Sequence, residues 1–170
     1  HYLTKKLGAY GADLACVAHF FQQTWDIPAQ EVDDAAKPFV LSCAAFRLRG
    51  LGRLQEAMQP FQAGLRLRIE EANHKSSAIN ASNLSELLLS IGQVDKAVEA
   101  GEQAVHYADL SEDAFEQVVN RTTLADALYH RASTASSERI SDNKSESGSK
   151  STTKSKTKNK SESENANHTQ

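Results

Sequence analysis

The residues that could carry catalysis or hold a metal are few, and their spacing matches no known motif. Two pairs of adjacent carboxylates, Asp33-Asp34 and Glu70-Glu71, could perform general acid–base chemistry, but that role needs a desolvated carboxyl group. Both pairs stand at predicted helix ends, which favours surface charge. The six histidines share no ligand spacing, and no nucleophile-elbow, phosphate-loop, zinc-protease or Cys-x-x-Cys motif occurs. We therefore expect no enzyme, no cofactor and no metal.

Composition narrows the remaining classes. Cys16 and Cys43 both lie in apolar segments predicted to be helical, which favours two buried thiols in a reducing compartment over a disulfide or a metal pair. No apolar run is long enough to cross a bilayer, and a net charge of −3 over 170 residues does not indicate a general nucleic-acid binder. We expect a cytoplasmic protein with no membrane partner. Because the chain begins at His1, we interpret it as a fragment of a longer protein.

Apolar residues are distributed unevenly, and this divides the chain into two parts. Residues 134 to 170 contain only three apolar side chains, Ala135, Ile140 and Ala166, and are rich in Ser, Thr, Asn and Lys. Such a segment buries too little surface to offset its chain entropy. We predict a folded domain over residues 1 to 133 and a disordered polar tail over residues 134 to 170.

A repeat of 40 residues is the most informative pattern in the folded part. The segment that begins at Gly52 aligns with the one that begins at Gly92: glycine, polar, aliphatic, two polar residues, then Ala57 or Ala97 followed by an aliphatic residue. A further alignment begins at Gly11, at an offset of 41. A fixed period of this length is typical of repeat proteins.

Within each repeat, apolar residues recur at steps of three and four, which predicts two helices per unit. The glycine between them suits the left-handed residue that ends a helix, and the small alanine permits close helix crossing. The spacing from Asp109 to Glu112 predicts a capping box for the last helix. No segment predicts a strand. The predicted helices cover residues 5 to 10, 12 to 24, 35 to 51, 53 to 71, 75 to 91, 94 to 108 and 112 to 131.

This pattern resembles the tetratricopeptide repeat in its longer variety of about 40 residues. In order, its residues are a small residue, two leucines, a glycine, a leucine or valine, and an alanine. The segment from Ser77 to Leu87 also resembles the Asn-rich first helix of bacterial sensor repeats. The resemblance implies an all-α fold, a right-handed α-solenoid of antiparallel helical hairpins. Its units would span about residues 1 to 27, 35 to 72, 75 to 109 and, in part, 112 to 132.

In proteins of this type the first helix of each hairpin lines a concave groove that binds peptides, so the resemblance implies a set of groove positions. Among them, Asn83 would hold a peptide backbone through its amide, since that group both donates and accepts. Alternatively, Asn83 and Asn80 only link neighbouring helices. With Glu86 and Asp126 in the groove, we expect a neutral or cationic ligand segment. The implied positions are Ser42, Phe46, Arg49, Ser82, Asn83, Glu86, Leu89, Thr122, Asp126 and Tyr129.

The expected function is that of a protein- or peptide-binding repeat scaffold, such as the sensor or adaptor part of a larger bacterial signalling protein. The last helix raises a second possibility. No apolar partner helix follows it in the sequence, so Val118, Leu124 and Leu128 would lack a cover. The alternative function is therefore a structural spacer that self-associates through these residues.

Overall fold

The computed structural model describes residues 8 to 137, and most of them are helical, as the periodicity predicts. Helices α1 to α5, and α6 as far as Arg131, belong to one compact unit, while the last described residues, 132 to 137, belong to a second. The helices are α1 (Tyr10–Ala18), α2 (Lys37–Gly50), α3 (Leu54–Glu70), α4 (His74–Ser90), α5 (Val94–Ser111) and α6 (114–137).

Helices α1 to α4 each pack against the next one along the chain, and the core positions of α2 to α5 recur with the 40-residue period. Leu48 of α2 and Leu88 of α4 are both buried, as are Ala57 of α3 and Ala97 of α5. All four belong to one apolar cluster. Because alanine has a single methyl group, these positions allow the helix axes to approach closely. Full burial of a leucine such as Leu48 contributes about 1.5–3 kcal/mol.

Four residues with positive φ follow helices at intervals of 20 residues. Gly52 (φ 74°) and Gly92 (φ 77°) confirm the predicted left-handed glycines, while Ala72 (φ 52°) and Glu112 (φ 54°) adopt the same conformation. After α2, α3 and α4, the amide of the residue beyond each turn donates to the carbonyl five residues back, at 2.9 Å. This bond defines a Schellman motif, which satisfies the last carbonyls of the helix.

The region before α2 differs from the prediction. The helix predicted over residues 12 to 24 ends at Ala18, and two short antiparallel strands follow, β1 (Phe21–Gln23) and β2 (Ile27–Pro28). Gly11 lies inside α1 rather than at a turn, so the alignment that begins there is wrong. Of the segment predicted over residues 5 to 10, the part before residue 8 lies outside the described residues.

Trp25 explains why this segment forms a hairpin. It stands in the turn with φ 70°, and its side chain is buried against the core. Its ring meets that of Phe21 edge to face at 5.5 Å between centroids, and the neighbouring Asp26 pairs with Arg66 of α3 at 3.2 Å. The hairpin thus buries the Trp25 ring and partly buries the Phe21 ring.

The beginning of α6 also corrects a prediction. Asp109 lies in the last turn of α5, and Glu112 is the left-handed residue that follows it. The residue that caps α6 is Asp113, whose Oδ1 accepts hydrogen bonds from the amides of Phe115 and Glu116 at 3.0 and 3.1 Å. The Asp-x-x-Glu spacing occurs twice in succession here, and only the second copy follows a residue that ends a helix.

The end of α6 lies beyond the predicted boundary. The helix continues through Ala132, which occupies the place of the turn glycine, and residues 134 to 137 are helical rather than disordered. Alanine has the highest helix propensity, so nothing at this position ends the helix. The predicted disorder of residues 138 to 170 lies outside the described residues.

The two cysteines differ in exposure. Cys43 of α2 is buried, and this burial raises the pKa of its thiol. Cys16 of α1 is exposed, so the prediction of a buried thiol is wrong there. Within residues 8 to 137, every helix is too short or too polar to cross a membrane.

Candidate functional site

Helices α2, α4 and α6 bring side chains together at one open pocket of about 430 Å³. These are the helices that the repeat pattern makes the first of each unit. Four of the ten predicted groove residues meet in this pocket. Ser90 and His130 also line it and were not predicted. Ser90 directly follows the predicted Leu89 in the sequence, and His130 directly follows the predicted Tyr129. The lining residues are Arg49, Glu86, Leu89, Ser90, Asp126 and His130.

The charges at this pocket are only partly compensated. Nη2 of Arg49 lies 2.9 Å from Oε2 of Glu86, and Nε2 of His130 lies 3.7 Å from Oδ1 of Asp126. All four side chains are partly exposed, so each pair contributes about 1 kcal/mol or less. The pocket lining thus contains two carboxylates, Glu86 and Asp126, and one guanidinium, Arg49.

The serine and threonine hydroxyl groups among the predicted groove residues form hydrogen bonds within the protein. Ser42 donates to the carbonyl of Pro38 at 2.9 Å, and Thr122 donates to that of Val118 at 3.0 Å. Ser82 is buried, with its hydroxyl 2.9 Å from that of Thr123 on α6. Ser82 therefore lies between helices rather than in the groove.

Asn83 and Asn80 each bond within their own helix. The Nδ2 of Asn83 donates to the carbonyl of Ile79 at 2.8 Å, and that of Asn80 donates to the carbonyl of Ser76 at 2.9 Å. These bonds do not link neighbouring helices. Asn83 is partly exposed, and its amide keeps an acceptor oxygen and a second N–H that could bond to a peptide backbone.

The two predicted aromatic groove residues are both exposed, but they lie on different helices. Phe46 of α2 meets the buried ring of Phe61 edge to face at 5.4 Å. Tyr129 of α6 meets the ring of His130 edge to face at 5.9 Å. Exposed aromatic rings of this kind offer apolar contact area to a ligand.

The adjacent carboxylate pairs are on the surface, as predicted. Asp33 accepts a hydrogen bond from the amide of Ala35 at 2.8 Å, and the pKa of Asp34 is lowered by its hydrogen bond with Lys37. Glu70 and Glu71 are likewise exposed. Over residues 8 to 137, no three His, Cys, Asp or Glu side chains are grouped so that they could hold a metal ion.

A second pocket, of about 530 Å³, was not predicted from the sequence. It lies between α3 and α5, and Met58, Leu84 and Leu88 contribute its apolar surface. Gln93 also lines it, and the Oε1 atom of that side chain is buried without a hydrogen-bond partner. No sequence signal marks this pocket, because its lining residues come from three helices and share no motif.

The three residues predicted to lack a cover do not behave alike. Val118 and Leu128 are exposed, as predicted. Leu124 instead packs against the core, because Gly101 of α5 leaves room for it. A Cβ atom placed on Gly101 would lie 3.2 Å from Cδ1 of Leu124.

Comparisons of this chain with protein-family models, with curated proteins and with solved structures find no match.

Proposed function

We propose that this chain is a helical-repeat scaffold of the tetratricopeptide type, a right-handed solenoid that binds a segment of another protein along helices α2, α4 and α6. Two features support the proposal. Buried positions such as Leu48 and Leu88 recur at 40 residues, and left-handed turn residues recur at 20. A scaffold of this kind would act as the sensor or adaptor part of a larger signalling protein.

The observation that carries the proposal is the pocket to which three successive first helices contribute. Arg49 of α2, Glu86 of α4 and Asp126 of α6 all line it, although they are far apart in the sequence. A surface built from equivalent positions of consecutive units can contact consecutive residues of an extended peptide. A surface formed by a single helix does not offer such equivalent positions to an extended peptide.

The charge of the pocket indicates the class of ligand. Two carboxylates, Glu86 and Asp126, line it with one guanidinium, Arg49, which pairs with Glu86. Leu89 adds apolar area to the same pocket. The expected ligand is an extended segment that places a Lys or Arg side chain between Glu86 and Asp126.

Binding can be tested with fluorescently labelled peptides of alternating Lys and Ala or alternating Glu and Ala. We expect the basic peptide to bind more tightly to the full chain. The change Asp126→Lys should weaken its binding by about threefold to tenfold, since it replaces an attraction by a repulsion at a partly exposed site. Fluorescence anisotropy measures both affinities.

A matched control separates local from overall charge. The change Asp95→Lys alters the net charge equally but lies on the exposed surface of α5, outside the pocket. Equal weakening by both changes would mean that binding reflects only total charge. The proposal would also fail if Glu86→Lys tightened the binding of the basic peptide.

A further inference from the structure

We propose that the chain forms a two-fold symmetric dimer in which the exposed face of α6 packs against α6 of a second copy in antiparallel orientation. This goes beyond the binding of a peptide, and the face shares only Thr122 and Tyr129 with the implied groove positions. The face consists of Phe115, Val118, Thr122, Ala125 and Tyr129, and we call it the end face.

The end face is strongly apolar for an exposed surface. Phe115 is 71% exposed, Val118 66% and Tyr129 68%. Along α6, steps of three, four and seven residues separate Phe115, Val118, Thr122 and Tyr129. These residues therefore share one side of the helix. A contiguous group of large exposed apolar side chains is typical of an interaction surface.

The repeat shows that this surface continues an interface that is buried one unit earlier. Forty residues before Val118 stands Ala78, which is fully buried. Forty residues before Thr122 stands Ser82, which is also buried and meets Thr123 of α6. On α4 these positions are covered by the helices that follow. On α6 the same positions have no cover among residues 8 to 137.

The order of residues along the end face favours a second copy as the partner. Phe115 stands seven residues before Thr122 and Tyr129 stands seven after it, which is about two helical turns in each direction. The face therefore has a similar composition in both directions. An antiparallel copy would place Phe115 of each chain on Tyr129 of the other and Val118 near Ala125, with the two Thr122 residues at the axis. Such self-complementarity is what a two-fold interface requires.

The mass of the full chain in solution tests this inference. At about 100 µM protein, we expect light scattering after gel filtration to give twice the mass of one chain, and the dimer to dissociate on dilution. Phe115→Lys and Val118→Lys should each weaken dimerisation by about tenfold or more, because they place a charge at the centre of an apolar contact. The matched control is Leu110→Lys, an exposed leucine at the end of α5, which should leave the dimer intact.

Cross-linking locates the axis. In a Cys16→Ser background, Thr122→Cys should form a disulfide between two copies under mild oxidation, whereas Ile79→Cys, exposed on α4, should not. A single-chain mass at all concentrations would overturn the inference and would indicate that another protein covers the end face. A dimer that persists in Val118→Lys and does not cross-link at Thr122 would overturn it as well. Neither result bears on the peptide assay, which reports on Asp126.

Discussion

At the scale of single residues, the four left-handed positions differ in what they cost. Gly52 and Gly92 adopt positive φ without strain, whereas Ala72 and Glu112 bring a Cβ atom into the same conformation. That contact costs about 1–2 kcal/mol, and glycine returns about 0.4–1 kcal/mol of this through the entropy of the unfolded chain. We expect Ala72→Gly to raise the free energy of unfolding by about 0.5–1 kcal/mol, as measured by urea denaturation.

The opposite change provides the control, since Gly92→Ala should lower the free energy of unfolding by a similar amount. If both variants were destabilised, strain at Ala72 would not be the cause. The sequence predicts Gly52 and Gly92 because glycine itself marks a left-handed turn. It does not predict Ala72 or Glu112, whose residue types carry no such signal, and only their 20-residue spacing from the two glycines reveals them.

At the scale of helices, the contact between α5 and α6 depends on one glycine. A Cβ atom on Gly101 would lie 3.3 Å from the Cα atom of Leu124, so the backbone of α6 would have to move away at this point. Overpacking of this kind costs about 1–3 kcal/mol, and alanine recovers about 1 kcal/mol through its helix propensity. We expect Gly101→Ala to lower the free energy of unfolding by up to about 2 kcal/mol, as measured by thermal and urea denaturation.

Gly64 of α3 is the matched control, because it is also buried within a helix but has space around it. The nearest atoms to a Cβ on Gly64 would be Cβ of Leu41 at 3.7 Å and Oδ1 of Asn80 at 3.8 Å. There the helix propensity of alanine should dominate, and Gly64→Ala should stabilise by about 0.5–1 kcal/mol. Effects of the same sign at Gly64 and Gly101 would contradict the role of the Leu124 contact.

The sequence predicts the helices with clear repeats and fails where the repeat ends. The predicted bounds of α2 to α5 lie within three residues of those observed, because their apolar spacing and turn glycines agree. The β1–β2 hairpin was missed, since its turn uses Trp25 at positive φ rather than glycine or asparagine. The end of α6 was misplaced because Ala132, at the place of the turn glycine, does not end the helix.

At the scale of the whole molecule, salt bridges make stability depend on pH. Hydrogen bonds with Lys37, Arg53 and Lys75 lower the pKa values of Asp34, Glu56 and Asp113, respectively. A carboxyl group with a lowered pKa in the folded state stabilises the protein above its unfolded pKa, and this contribution disappears as the pH falls through the folded value. We expect the urea concentration at the midpoint of unfolding to decrease as the pH is lowered from 6 to 3.

One of these pairs is long-range, which provides a specific variant. Lys75 of α4 meets Asp113, the cap of α6, at 2.6 Å. In Asp113→Asn the change in midpoint between pH 6 and pH 3 should be smaller than in the unmodified chain, since one of the titrating groups is gone. An unchanged pH dependence would mean that this pair contributes nothing measurable. Urea titrations at the two pH values measure the difference.

The candidate site shows the same limit of sequence reasoning at this scale. The resemblance to the tetratricopeptide repeat implies that Arg49, Glu86 and Asp126 line one groove, and the structure brings them to one pocket. It does not predict that Arg49 pairs with Glu86, which is 37 residues away, because that contact depends on how neighbouring helices are placed. Burial of Ser82 was missed for the same reason.

The regular distance between the left-handed turn residues also limits how this chain can change. Removing one residue inside a helix would rotate every later side chain on that helix by about 100°, so that core residues would face water up to the next turn. Substitutions at exposed positions have no such effect. The number of residues per helix should therefore vary less among natural variants than the identity of the residues on its surface.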